Sequence, residues 1–118
     1  SLHRSEGFGL HLAEAMAMGK AVIATNWSGN TEFMNLKNSY PVDYELIELE
    51  EDYGPYRKGN YWAKALESQT VENMKKIFDS KLNYSIIKEA EITIVENFSM
   101  NEVGSMIEKR LKSIIYNL

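Results

Sequence analysis

The chain has 118 residues, 44% of them apolar, which is enough for one modest domain with a core and too few for two. Its formal net charge of -4 argues against non-specific nucleic-acid binding, since neutralising phosphates needs a basic face. The absence of cysteine removes disulfides and thiolate metal sites, and no charged-then-apolar leader or run of about 20 apolar residues is present, so a cytoplasmic protein is expected.

From residue 9 to residue 18 the chain is apolar at Leu10, Leu12, Ala13, Ala15, Met16, Ala17 and Met18, which predicts a helix packed nearly all round. Gly19 stops it, and residues 21–25 (AVIAT) read as a short parallel strand buried on both faces. Helix, tight turn and buried strand form half of an α/β unit. The strand feeding the helix would end at about Ser1-Leu2, so the front of the fold is expected to lie before Ser1. Next comes a turn-rich loop, Asn26-Trp27-Ser28-Gly29-Asn30, with one helical turn from Thr31 to Asn35. Residues 40–44 suggest a short strand that Pro41 confines to a start or an edge. Glu48, Glu50, Glu51 and Asp52 read as a solvated surface, followed by a Gly/Pro/Tyr loop over residues 53–59. From about Thr70 the pattern is helical, with Val71, Met74, Ile77 and Phe78 on one face. Met100, Val103, Met106, Ile107, Leu111, Ile114 and Ile115 form a longer stripe, opened by a Ser99/Glu102 capping box and a staple between Phe98 and Val103. Three Asn-x-Ser triplets, at Asn26, Asn83 and Asn97, match a glycosylation pattern by chance.

The chemically informative stretch is Glu6-Gly7-Phe8-Gly9-Leu10-His11-Leu12-Ala13-Glu14. Gly7 and Gly9 let the backbone turn sharply and let a ligand approach where a helix begins, and free amides at a positive helix end suit a diphosphate. The pair lacks the third glycine of a dinucleotide fingerprint, and on its own it is equally an ordinary tight loop. Glu14 stands among apolar neighbours, where an ionised carboxylate needs a partner, either a structural arginine or the hydroxyls of a ribose. Eight residues of helix would span about 12 Å, so Glu6 and Glu14 bracket roughly the reach of a nucleotide sugar from sugar to ribose.

Glu6 and Glu14 with seven residues between them, set in SLHRSEGFGL and followed by EAMAMGKAVIAT, resemble the group-1 (family 4) retaining glycosyltransferases. The later SGNTEFMN and NSYPVDY segments are similar to a bacterial branch of that family; the likeness is dense over about the first 65 residues and general after that. It implies an α/β fold: a partial Rossmann-like unit with parallel strands and a helical C-terminal tail, residues 1–118 forming part of the C-terminal, donor-binding domain of a GT-B enzyme. It further implies that Glu6 is catalytic and contacts the donor sugar, that the amides of Gly7, Phe8 and Gly9 face sugar and diphosphate, and that Glu14 holds the ribose. The donor would be a UDP- or GDP-sugar, transferred with retention of anomeric configuration, with no cofactor and no metal. The implied partner is an N-terminal domain of the same enzyme; the isolated chain is expected to be inactive and prone to self-association, and the intact enzyme to be cytoplasmic or peripheral to a membrane. Where the family commonly has proline, this chain has His11 and Ala21, and an acidic residue plus proline is replaced by Lys64-Ala65, which affects the entry to the next helix.

Other residues carry two readings each. Asn26, Ser28, Gly29 and Asn30 either line the donor pocket, with Asn30 included among the donor-binding residues, or form a capped turn. His3 lies where α/β ligand sites open, yet two histidines without spaced partners are more often structural. Arg4 could pair with phosphate or with a glutamate, the latter preferred; Trp27, Tyr61 and Trp62 could stack on a base or sugar but suit a core better. The rival functions are a non-catalytic nucleotide-sugar-binding module and a GT-B nucleotide-sugar epimerase.

Overall fold

A computed structural model describes residues 1–79 and 83–116. In chain order the elements are helix α1 (Leu10–Ala17), strand β1 (Ile23–Thr25), a 3-10 turn (Gly29–Glu32), β2 (Tyr40–Val42), β3 (Tyr44–Glu48), β4 (Tyr61–Ala65), α2 (Glu67–Phe78), α3 (Tyr84–Phe98) and α4 (Met100–Ile115). This is a mixed α/β architecture with parallel strands and C-terminal helices, consistent with part of a Rossmann-like domain.

The end of α1 shows how local sequence sets the path. Gly19 adopts φ 65°, and the amides of Gly19 and Lys20 reach back to the carbonyls of Met16 and Ala15. That paired closure satisfies the last carbonyls of the helix and turns the chain into β1. β1 runs parallel to β2, with Ala24 opposite Pro41. The bonds flanking Pro41 use the amides of Tyr40 and Asn26, so the proline's missing donor is not needed there. On the other side of β1, the Ser1 amino group donates to the Ile23 carbonyl at 2.8 Å and the Thr25 amide donates to the Ser1 carbonyl at 3.1 Å. Ser1 therefore sits beside β1 in a parallel hydrogen-bonding pattern, where the strand feeding α1 was expected to end.

The core lies between α1, β1, the 3-10 turn and α3. Leu12, Ala13 and Met16 of α1 meet Val22, Ala24, Phe33 and Met34, and Ala90 and Ile94 close it from α3. Phe98 joins this core, its ring 5.6 Å from Phe8 and 5.9 Å from Phe33, and Val103, its expected staple partner, is 37% exposed. The Ser99 side chain accepts from the Glu102 amide, which is the N-cap half of the expected capping box.

Several expectations are corrected. α1 is not packed all round: Leu10 is 64% and Met18 72% exposed, with Glu14 between them on one open face. Its eight residues bury only one side because a single helix, α3, packs against it. α2 begins at Glu67, ahead of Thr70, and it buries Thr70 and Asn73 while Val71, Met74 and Phe78 face outward. Residues 44–65, read mainly as loop, instead form the antiparallel β3–β4 hairpin, with Ile47 opposite Trp62. The strand expected over 40–44 divides at Asp43, whose carbonyl accepts from Leu66 and whose amide donates to the Gln69 side chain. Asn83, one of the chance triplets, caps α3 by accepting from the Ser85 amide.

Candidate functional site

The site is built from two loops held backbone to backbone. The Glu6 amide donates to the Ser28 hydroxyl at 2.7 Å, and the Gly29 amide donates to the Glu6 carbonyl at 3.0 Å. A methyl group on Gly29 would lie 1.9 Å from the Gly7 carbonyl oxygen, so only glycine permits this approach. Ser28 holds φ 68° and ψ -147°, a conformation that costs a non-glycine residue about 1–3 kcal/mol. Its carbonyl accepts both the amide and the hydroxyl of Thr31, which secures the bend. Backbone strain is therefore placed where the two loops meet.

Gly9 caps α1 in the left-handed region, φ 90°, and its carbonyl accepts the amides of Leu12 and Ala13. Among the described residues, the amides of Phe8, Gly9, Leu10 and His11 make no hydrogen bond, so they carry the positive end of the helix dipole. The Gly7 amide differs: it donates to the Glu6 carboxylate at 3.1 Å. Glu6 is thus half-buried with its carboxylate turned back along the loop, while Phe8 is anchored by its ring, 4.9 Å from Phe33, and offers only its backbone.

Glu14 is exposed and has no charged partner among the described residues, so the expected desolvated carboxylate is not present. Its side chain, like others on a helix, leans toward the helix N-terminus and hence toward the loop of Gly7 and Gly9. Asn30 also differs from a pocket-lining residue. Its side chain is fully buried and donates to the Thr25 carbonyl at 3.0 Å, leaving its Oδ1 atom without a partner. Asn30 supports the loop from beneath.

Neither histidine lies in a catalytic arrangement. His3 Nε2 meets the Trp27 carbonyl at 3.0 Å and Nδ1 meets the Ser1 hydroxyl at 3.3 Å. A carbonyl can only accept, so the proton sits on Nε2 and His3 ties the first residues to the loop after β1. Trp27 packs on Tyr44, its ring 5.1 Å away, and Arg4, which forms no ion pair with an acidic side chain among the described residues, lies over Trp62 at 4.3 Å. Ser28 and His3 hold the site together, and only the lone serine in a glycine-like turn could have signalled it. Among the described residues no three His, Asp or Glu side chains gather to hold a metal ion, and no helix is long and apolar enough to cross a membrane.

No curated protein matches the chain. Residues 1–48, which contain the two loops, α1, both glutamates and the parallel strand pair, match the family model of the glycosyl transferases group 1. That match, over the first 48 residues, supports a group-1 glycosyltransferase family and, with it, sugar transfer in general.

Proposed function

We propose that the chain forms the donor side of a retaining glycosyltransferase of GT-B architecture that takes a nucleoside-diphosphate sugar. The observation that carries this reading is the row of unpaired amides from Phe8 to His11 at the start of α1, flanked by Glu6 on the loop and by an open Glu14 one turn into the helix. Helix-end donors suit the diphosphate, whose charge grows as the bond from the sugar's anomeric carbon to the phosphate oxygen breaks. A fixed dipole in place before reaction stabilises that growing charge without reorganisation. Glu6 is itself an anion held next to these amides, so it repels phosphate and suits the neutral hydroxyls of the sugar. Glu14 then accepts from ribose hydroxyls, and the acceptor hydroxyl enters from a second domain to take the same face that the phosphate leaves, its proton passing to the departing phosphate oxygen.

Glu14→Gln in the intact enzyme should raise the donor KM more than it lowers kcat, because a charge-assisted hydrogen bond worth about 1.5–3 kcal/mol is weakened in ground and transition states alike. Glu6→Ala should lower kcat strongly with a smaller loss of donor affinity. Wild-type turnover in Glu6→Ala, or donor affinity unchanged by calorimetry in Glu14→Gln, overturns the respective role. Release of nucleoside diphosphate only when an acceptor is present separates transfer from epimerisation and from binding without turnover.

A further inference from the structure

We propose that the cleft formed by Arg4 with the β3–β4 hairpin is a subsite for a neutral sugar ring. That the ring belongs to the acceptor glycan rests on the glycosyltransferase reading. The cleft encloses about 200 Å³, and the residues that give it chemistry are Arg4, Glu48, Glu50, Tyr53 and Trp62. One wall is aromatic: Trp62 is half-buried, with Tyr53 at 5.1 Å between ring centres and 45% exposed, and Tyr56 supports Trp62 from outside the cleft at 6.3 Å. Arg4 covers one face of Trp62, so the ring open to a sugar's C–H face is that of Tyr53, held in place by Trp62 beneath it.

The polar rim decides the class of ligand. The Arg4 guanidinium carbon lies over the Trp62 ring at 4.3 Å and, among the described residues, the side chain makes no hydrogen bond, so its donors remain available. Glu50 has no hydrogen-bond partner among the described residues, and Glu48 accepts only from the Tyr61 hydroxyl, at 3.2 Å. A phosphate or carboxylate ligand would be repelled by the two glutamates. A purely apolar ligand would bury them without partners, which is costly. Sugar hydroxyls both donate and accept, so a neutral sugar satisfies guanidinium and carboxylates together beside an aromatic wall.

The position is also suitable. The Arg4 carbonyl accepts from the Ala63 amide at 2.9 Å, which attaches the hairpin to the chain two residues before Glu6. The loop beyond it is pinned by Asp52, which accepts from the Lys58 amide at 2.8 Å and the Arg57 guanidinium at 2.7 Å. The tyrosines are therefore presented on a fixed turn closed by the Tyr53–Tyr56 bridge.

The test is a titration of the isotopically labelled chain with maltotriose, cellotriose, chitotriose and mannotriose, following the two indole N–H resonances. At least one sugar should shift Trp62 saturably while Trp27, packed on Tyr44 elsewhere, stays still. Tyr53→Ala and Arg4→Met, which spare the hairpin's central pair of Ile47 and Trp62, should each weaken that binding at least tenfold while the urea midpoint falls by less than about 1 M. No saturable Trp62 shift with any of the four, or undiminished affinity in both variants, overturns the proposal. A parallel titration with UDP- and GDP-sugars, read at the amides from Phe8 to His11, separates the two readings. Shifts there, with Trp62 silent to the four oligosaccharides, retain the donor site and remove this subsite; oligosaccharide shifts at Trp62 with residues 8–11 silent to nucleotide sugars retain the subsite and remove its acceptor role.

Discussion

Gly29→Ala is the sharpest perturbation of the site, because it adds one methyl group at the contact between the two loops. The new carbon would lie 1.9 Å from the Gly7 carbonyl oxygen, 2.4 Å from its carbon and 2.8 Å from the Phe8 nitrogen, all of them backbone atoms that no side-chain rotation can move away. Gly29 is not in the left-handed region, so the effect is steric rather than conformational. Separating the loops breaks the Glu6–Ser28 and Gly29–Glu6 hydrogen bonds, worth about 0.5–1.5 kcal/mol each, and forcing in the methyl costs about 1–3 kcal/mol more. The expected loss is about 2–6 kcal/mol, a large part of the stability of a small domain. With a urea slope of about 2 kcal/mol/M, the midpoint should fall by roughly 1–3 M. Gly104→Ala is the control: nothing lies within 4 Å of its added carbon, and alanine is favoured over glycine inside a helix by about 0.8–1 kcal/mol, so the midpoint should rise. A Gly29→Ala midpoint equal to wild type would refute the close approach of the two loops.

Four further outcomes follow. Ser28→Gly should be more stable than Ser28→Ala by about 1–3 kcal/mol in urea melts, since both lose the hydroxyl that Glu6 uses but only glycine relieves the backbone; the usual order, alanine above glycine, would remove the strain at this turn. Phe98→Ala should cost about 3 kcal/mol by the same assay, because its ring bridges Phe8 and Phe33, whereas Val103→Ala should cost under about 0.5 kcal/mol; similar values would restore the staple. Leu111→Gln on α4 should also stay within about 0.5 kcal/mol of wild type in the monomeric chain, as no α4 residue is buried among those described, and a large loss would mean that the helix is covered. Asp52 gives a pH dependence: the Lys58 amide and the Arg57 side chain hold its carboxyl below the ordinary value, so its contribution is complete above that value and is lost as pH falls through the lowered one. Hydrogen exchange at the Lys58 amide, corrected for intrinsic rate, should lose protection over that acid range and not at neutral pH; protection that persists in acid would exclude the Asp52 clamp.

Much of the site is encoded locally, and was legible for that reason. Gly7 and Gly9 before an apolar segment specify a tight loop opening a helix, Gly19 specifies where the helix stops, and a run of small and β-branched residues specifies a buried strand. Ser99 followed by Glu102 likewise marks the start of α4. Each of these depends on residues within about one helical turn of each other, so periodicity and turn chemistry suffice to read them.

The partners of those elements depend on long-range packing, and there the tertiary structure decided. Glu14 looked stranded among apolar neighbours, yet α3 covers only the Leu12, Ala13 and Met16 side of α1 and leaves the Leu10, Glu14 and Met18 side open. Val71, Met74 and Phe78 of α2 face outward for a related reason: the helix packs near β1 and β2, and the residues it buries are Thr70 and Asn73, small polar residues that hydropathy would not select. The β3–β4 hairpin was obscured because its two strands are separated by a long turn, and its pairing joins residues as far apart as Tyr44 and Ala65. The approach of Gly29 to Gly7 spans 22 residues, and nothing in either glycine alone announces the other. Sequence determines what each short segment can do by itself, whereas the depth at which a carboxylate sits and the loop it meets depend on which distant surface removes it from water.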